Sequence, residues 1–326
     1  MNDFKAHVVS SFIEYVDLIK KLKTQDSNLW FRGQCNASYR LIPSAMRTMW
    51  EISDYYDRPI KPRKVENKFH NRRTHVAYLN QYAMLEEFKI LVKDYLRLIP
   101  ENDLEWLSIA QHYGIPTTLL DWTTDPLVAL FFSRITDNKI INQSTIEEAL
   151  SDFNENQYSK LGSAIFALNP GEMNKNIGEL FINGDMDKRV TTPLNAKNHL
   201  KHLTDYESNH ALPCFFTSTP IDRRICRQSG NFTIHGSMVW PLDHQKVSRE
   251  LIHKIFIPFK VFEEINTTLD ALNINESSIY GFSEIDNIAR NISNDAKNIF
   301  EKEINDLIEK HKTVPYLERD NANSFI

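Results

Sequence analysis

The stretch Gln111–Ser133, QHYGIPTTLLDWTTDPLVALFFS, decides how this chain is read. Two apolar runs, IPTTLL and PLVALFF, enclose a polar knot, DWTTD. The runs demand burial, so the two carboxylates of the knot need partners inside the protein. Pro126 opens the second run, and proline suits the first helical position because its missing N–H is not needed there. Asp125 stands just before it, where a side-chain oxygen caps a helix. That helix is apolar nearly all round and is expected to be buried. Asp121 has no such role. A buried carboxylate requires a cation or several donors, and Arg32 and Arg224 are the natural candidates. Thr123 and Thr124 can satisfy loose backbone groups. The knot reads as a latch between elements, as one wall of a polar pocket, or as both.

Working outward, DLEWLSIAQHY reads as a helix that stops at Gly114, with Pro116 preventing continuation. Helical patterning also covers YLNQYAMLEEFKILVKDYLRLI and, through Phe12, Val16, Ile19 and Leu22, the early VSSFIEYVDLIKKLK. LWFRG, GSAIFALN, ALPCFFT, FTIHGSMVW and LIHKIFIPF read as strands. STPIDRRICRQSG reads as a compact helix capped by Thr219, opened by Pro220 and closed by Gly230, with Asp222 complementing the cap. From Ser283 onward, isoleucines recur at helical spacing, and Ser293 is expected to divide two helices. Polar residues 136–161 suggest a surface excursion. Helices early, strands in the middle and helices late point to an α+β fold. The expected form is a single mixed domain with a central, mostly antiparallel sheet, flanking helices and a C-terminal helical extension.

Composition removes several function classes. The 326 residues carry a net charge of −5, with 41% hydrophobic content, which gives no general attraction to nucleic acid or anionic membrane. The nine glycines lie no closer than six positions apart, which excludes G-x-G phosphate loops, the Walker A loop and the G-x-S-x-G elbow. No run approaches the roughly 18 apolar residues of a membrane span, and no secretory signal is visible. Cys35, Cys214 and Cys226 are odd in number and widely spaced, so a reducing cytoplasm is the expected location. Residues 58–73 carry seven Lys or Arg against Glu66 alone. They read as a solvated loop or as a phosphate-contacting arm, the one place where nucleic acid would find a hold.

Arg32 ends a strand beside Gly33. Glycine there lets a ligand or another backbone approach closely, and arginine offers a planar fork for carboxylate or phosphate. Arg32 is either an internal ion pair or an anion ligand. Gln111 and His112 end a helix facing the knot, where a histidine caps carbonyls or serves as a general acid or base. In RRICRQ, Arg224 lies one helical turn from both Arg227 and Gln228. The cluster is either a phosphate site or surface charge with one core salt bridge. His199, His202 and Asp205 share a helix face but lack a further metal ligand at telling spacing. His70 and His75 are weaker metal candidates.

WFRGQ, YRLIPSAMR (Tyr39–Arg47), EEF and LSIAQHYGIPTTLLDWTTDPLVALFFS together resemble the FRG domain family, named for its Phe-Arg-Gly signature. Phe31, Arg32 and Gly33 carry that signature here. Arg224, Ile225, Gln228, Gly230 and Phe232 resemble the family's later Arg-Ile…Gln-x-Gly-x-Phe segment, and SSIYGFSEIDNIARNI its closing one. The resemblance implies a domain over residues 1–292, with insertions at about 51–75, 136–161 and 171–210, and a helical tail over 293–326. It also implies a bacterial or phage cytosolic setting near anti-phage functions. Thr118 stands where the family usually has arginine, so an anion contact there is lost or passes to Arg223 or Arg227.

Two functional expectations follow. In the first, a nucleotide, another anionic small molecule or a protein partner is held by Arg32, Gln34, Gln111, His112, Thr123, Ser218, Arg224, Arg227 and Gln228, with Asp121 beside them. In the second, the layout resembles ADP-ribosyltransferases acting on NAD. Arg32 would position the diphosphate, Thr217, Ser218 and Thr219 would supply hydroxyls, and Asp121 or Glu250 a catalytic carboxylate. Glu250 is an imperfect substitute because no Glu-x-Glu precedes a fitting strand.

Overall fold

The structure is a computed structural model that describes residues 4–47, 50–51, 76–77, 79–182, 190, 213–235, 241–244 and 246–311. Its strands are β1 (Lys5–Val8), β2 (Trp30–Gln34), β3 (Trp50–Glu51), β4 (Val76–Ala77), β5 (Leu119–Thr123), β6 (Gly162–Leu168), β7 (Cys214–Thr217), β8 (Gly230–Ile234) and β9 (His253–Pro258). Seven of them form one mixed sheet in the order β1-β9-β6-β2-β5-β8-β7. The β1–β9 pair is parallel and the other pairs are antiparallel. β3 and β4 form a separate two-stranded ribbon. The fold is α+β, with helices packed on both faces of the sheet.

The described helices are α1 (Phe12–Gln25), α2 (Gln81–Val92), α3 (Asp103–His112), α4 (Pro126–Phe132), α5 (Asn138–Ile141), α6 (Ile146–Glu155), α7 (Pro170–Ile182), α8 (Arg223–Arg227), α9 (Lys246–Leu251), α10 (Phe262–Ala271), α11 (Glu276–Ile279) and α12 (Ile285–His311). No helix among the described residues is long and apolar enough to cross a membrane.

Strand β5 shows why the apolar runs of the opening stretch demand burial. Its side chains alternate, and each face meets its own core. Leu120 and Trp122 pack with Trp30, Phe166, Phe215 and Phe256 beneath Phe153 of α6 and Met173 of α7. The Trp122 indole donates its N–H to Thr233 Oγ1 on β8 at 2.7 Å, so the buried ring leaves no polar atom unpaired. The opposite face carries two separate cores. One joins Phe31, Ile165 and Ile255 to Ile19 of α1, Leu130 of α4 and Ile265 of α10. The other joins Leu119, Phe216 and Phe232 to Phe88 of α2, Leu107 of α3 and Ile292 of α12.

Asp125 caps α4 as expected, accepting from the amides of Leu127 and Val128. α3 ends before Gly114, whose φ of +89° favours glycine. Three local expectations change. The cap of α8 is Asp222, whose carboxylate takes the amides of Arg224 and Ile225, and Thr219 instead donates its hydroxyl to Glu105. Gly230 begins β8, and Ser229 takes the positive φ before it. Ser293 does not divide the last helix. Its hydroxyl bonds back to the Ala289 carbonyl at 2.7 Å, a contact a helix accommodates. The polar segment 136–161 folds into α5 and α6, and the buried Ile141, Ala149 and Phe153 tie it to the cores. The basic stretch 58–73, His75, His199, His202 and Asp205 lie outside the described residues.

Candidate functional site

β2 and β5 share a single residue pair, Phe31 with Thr123, whereas β2 pairs with β6 along its whole length. Beyond that pair the two strands part, and the Arg32 side chain fills the opening. Arg32 Nη1 donates to the backbone oxygen of Asp121 at 2.8 Å and lies 3.5 Å from its carboxylate. A carbonyl that a neighbouring strand would otherwise engage is thereby satisfied. On the other side of β2, Gly33 admits the backbone of α4. A β-carbon there would fall on the Ala129 carbonyl oxygen and 2.8 Å from the Ser133 amide nitrogen. The close approach anticipated beside Arg32 is therefore that of a helix backbone.

The end of α3 completes the knot. Gln111 Nε2 donates to Asp121 Oδ2 at 2.8 Å, and the Thr117 hydroxyl fixes that amide by donating to Gln111 Oε1 at 2.6 Å. His112 Nδ1 lies 2.7 Å from Gln228 Oε1, while Gln228 Nε2 points to the Ile279 carbonyl at 3.4 Å. The glutamine oxygen accepts, so Nδ1 carries the histidine proton and Nε2 holds a lone pair. That Nε2 is buried with no partner among the described residues. Burial holds the His112 pKa below its usual value, against the pull of Asp121. Thr123 donates its hydroxyl to the Gln228 carbonyl and accepts from the Asp125 amide, closing the turn.

These groups border a cavity of about 270 Å³ lined by Arg32, Gln111, His112, Asp121, Thr123 and Gln228, with Phe132 and Tyr280 as its aromatic walls. The Asp121 side chain is 35% exposed and Arg32 only 11%. Burial lowers the Arg32 pKa to about 10; the Asp121 charge opposes this and the Arg47 charge adds to it. The guanidinium remains a cation at neutral pH, poorly hydrated and only partly compensated.

Residues 27–140 match the FRG domain family. The chain carries an FRG domain. No curated protein and no solved structure shows significant similarity to it.

Within and beyond the matched stretch, the fold brings six of the expected site residues to one cavity and places the others elsewhere. Gln34 lines an adjoining cavity of about 770 Å³. Arg224 faces neither. Its fork grips Asp286 at 2.7 and 2.9 Å, and it donates further to the Tyr280 and His112 carbonyls. Its guanidinium also stacks 4.3 Å from the Tyr113 ring. Asp121 is thus the partner of Arg32, and Arg224 has its own carboxylate on α12. Arg223 and Arg227 are exposed and line neither cavity, so neither takes over the position of Thr118, which is fully buried. The Ser218 hydroxyl is engaged with the Gly230 carbonyl. Glu250 sits on α9, ahead of β9, where it is exposed within 3.8 Å of Lys246. Two strands, β6 and β9, separate that edge from the seam. No group of three or more His, Cys, Asp or Glu among the described residues could hold a metal ion.

One buried cluster escaped the sequence reading. Asp243, fully buried, accepts from Arg40 Nε at 2.8 Å, the Tyr158 hydroxyl at 2.7 Å and the Leu41 amide at 3.0 Å. Behind it lies Lys254, also fully buried, its ammonium donating to the Ala37 carbonyl at 2.8 Å within the rings of Phe4, Tyr158 and Phe166. The signal was a lysine inside the apolar strand HKIFIP. Burial lowers the Lys254 pKa from 10.5 to about 7, opposed by Asp243 and aided by Arg40. The unfolded chain therefore holds this proton more tightly, and the penalty on the fold is full below pH 7 and fades as pH rises to 10.5. Urea unfolding of Lys254→Met at pH 7 and pH 10 tests this. The wild type should gain about 2 kcal/mol or more over that interval relative to the variant. Parallel pH dependences of the two proteins would contradict it.

Proposed function

We propose that this FRG domain binds a nucleotide or another anionic ligand at the opening between β2 and β5. The observation that carries the reading is the state of Arg32. Among the described residues only Nη1 donates, Nε is buried without a partner, and the charge borders a cavity. An incoming anion would take up unused donors in a water-poor site, where charge-assisted hydrogen bonds are strong. Gln111, His112 and the rings of Phe132 and Tyr280 supply orientation and an apolar surface. The free cysteines fit a reducing bacterial cytoplasm, where such a binder would serve anti-phage defence or a stress response.

A second reading, an ADP-ribosyltransferase-like or NAD-cleaving enzyme, is favoured by one observation. Asp121 is an accessible carboxylate beside the candidate anion site, where it could face the positive charge that develops as a glycosidic bond breaks.

Thermal unfolding of the full chain with NAD, ADP and inorganic pyrophosphate, together with nicotinamide release, tests both. Binding should raise the midpoint. Arg32→Lys keeps the charge but loses the fork, and should weaken binding about tenfold or more. Equal binding by Arg32→Lys overturns the binding reading. Nicotinamide release that Asp121→Asn abolishes while binding persists supports the enzyme. Release that survives Asp121→Asn and is lost in Glu250→Gln moves the carboxylate to α9.

A further inference from the structure

The second cavity is larger than the first and adjoins it, with Arg32, Gly33 and Phe132 lining both. Its chemistry differs. The narrow chamber sets one cation against one carboxylate. The wide one is lined by Arg32, Arg40 and Arg47, and no carboxylate is among its described lining residues. Asp243 lies behind Arg40 and neutralises it. Arg47 is exposed, has no ion-pair partner among the described residues, and stands close enough for its charge to act on Arg32. The wide chamber thus holds an excess of positive charge from Arg32 and Arg47. Gln34 lies two residues along β2 from Arg32, on the same face, and its buried Oε1 accepts no hydrogen bond among the described residues. Its Nε2 is committed to the Arg40 carbonyl, which leaves the oxygen to receive a hydroxyl.

We propose that the wide chamber is the phosphate subsite of a nucleoside di- or triphosphate, with Arg47 and Arg32 on the phosphates, Gln34 on a ribose hydroxyl and the base in the narrow chamber. The assignment rests on the binding function proposed above and names its ligand class. The division of labour follows from charge. A polyanion is repelled by Asp121 and belongs on the side of the guanidinium away from that carboxylate. An uncharged ring suits the narrow chamber, where Phe132 and Tyr280 offer aromatic surface and Gln111, His112 and Asp121 offer polar edges.

Titration calorimetry of the full chain with adenosine, ADP, dideoxy-ADP, guanosine diphosphate and inorganic pyrophosphate, on wild type, Arg47→Ala, Arg47→Lys and Gln34→Leu, tests the assignment. Arg47 is exposed at the end of a short turn, so its variants should fold. Removing one charged donor should weaken the nucleoside diphosphates and pyrophosphate about 10- to 100-fold and leave adenosine unchanged, with Arg47→Lys in between. Gln34→Leu should erase the preference for ADP over dideoxy-ADP. Adenosine binding as tightly as ADP, or Arg47→Ala binding ADP like the wild type, overturns the subsite. If Arg32→Lys still weakens ADP while Arg47→Ala does not, the seam remains the binding site and only this assignment falls. If none of the ligands binds the wild type, both fall.

Discussion

Arg224→Ala is expected to destabilise the fold by about 3 kcal/mol, at the low end of the cost of breaking a buried ion pair because Asp286 keeps partial access to water. The side chain closes four interactions at once. Two bonds hold Asp286 on α12, one holds the carbonyl of His112 at the end of α3, and one holds the carbonyl of Tyr280 after α11. Its plane also lies against Tyr113. Truncation leaves those two carbonyls without this donor and lets three helix ends drift apart. Arg224→Lys should recover little, since an ammonium cannot reproduce the planar fork. Urea unfolding measures this directly. The exposed Arg223→Ala serves as the control and should stay within about 0.5 kcal/mol of the wild type. A loss for Arg224→Ala no larger than the control's would mean that the network holds nothing together.

Gly33→Ala should cost about 3 kcal/mol or more, beyond ordinary overpacking, because the new methyl meets backbone rather than a movable side chain. Its position coincides with the Ala129 carbonyl and crowds the Ser133 amide. Helix α4 cannot yield by changing a rotamer; it has to rise off β2 as a body. Phe132, which lines both cavities, rides on that helix. A lowered thermal midpoint should therefore come with weakened ligand binding. Wild-type stability in Gly33→Ala would show that the contact between α4 and β2 is looser than these distances require.

Much of this was legible before any coordinates. Asp125 as a cap, Gly114 as a stop and the burial of the run IPTTLL all rest on local rules, and local rules need only a few neighbouring residues. That this run forms strand β5 was not legible, because its neighbours β2 and β8 come from distant segments. The pairing of Arg32 with Asp121 was legible in chemistry, because a carboxylate inside apolar runs must find a cation. The partner of Arg224 was not. Asp286 lies 62 residues downstream, and nothing in the spacing separates it from other acids. The roles of Gln111 and Gln228 depend on which way each amide is turned, and that is fixed by Thr117 and the Ile279 carbonyl. Lys254 carried a warning in its apolar neighbours. Its aromatic enclosure, drawn from residues near 4, 158 and 166, appears only on folding.

The lone rung between Phe31 and Thr123 has a mechanical consequence. It divides the sheet into a four-stranded half and a three-stranded half that meet along a nearly unzipped border. A guest lodged against Arg32 and Asp121 would clasp both halves. Its arrival should be felt as slower amide exchange on either flank of the border, well beyond the atoms it touches.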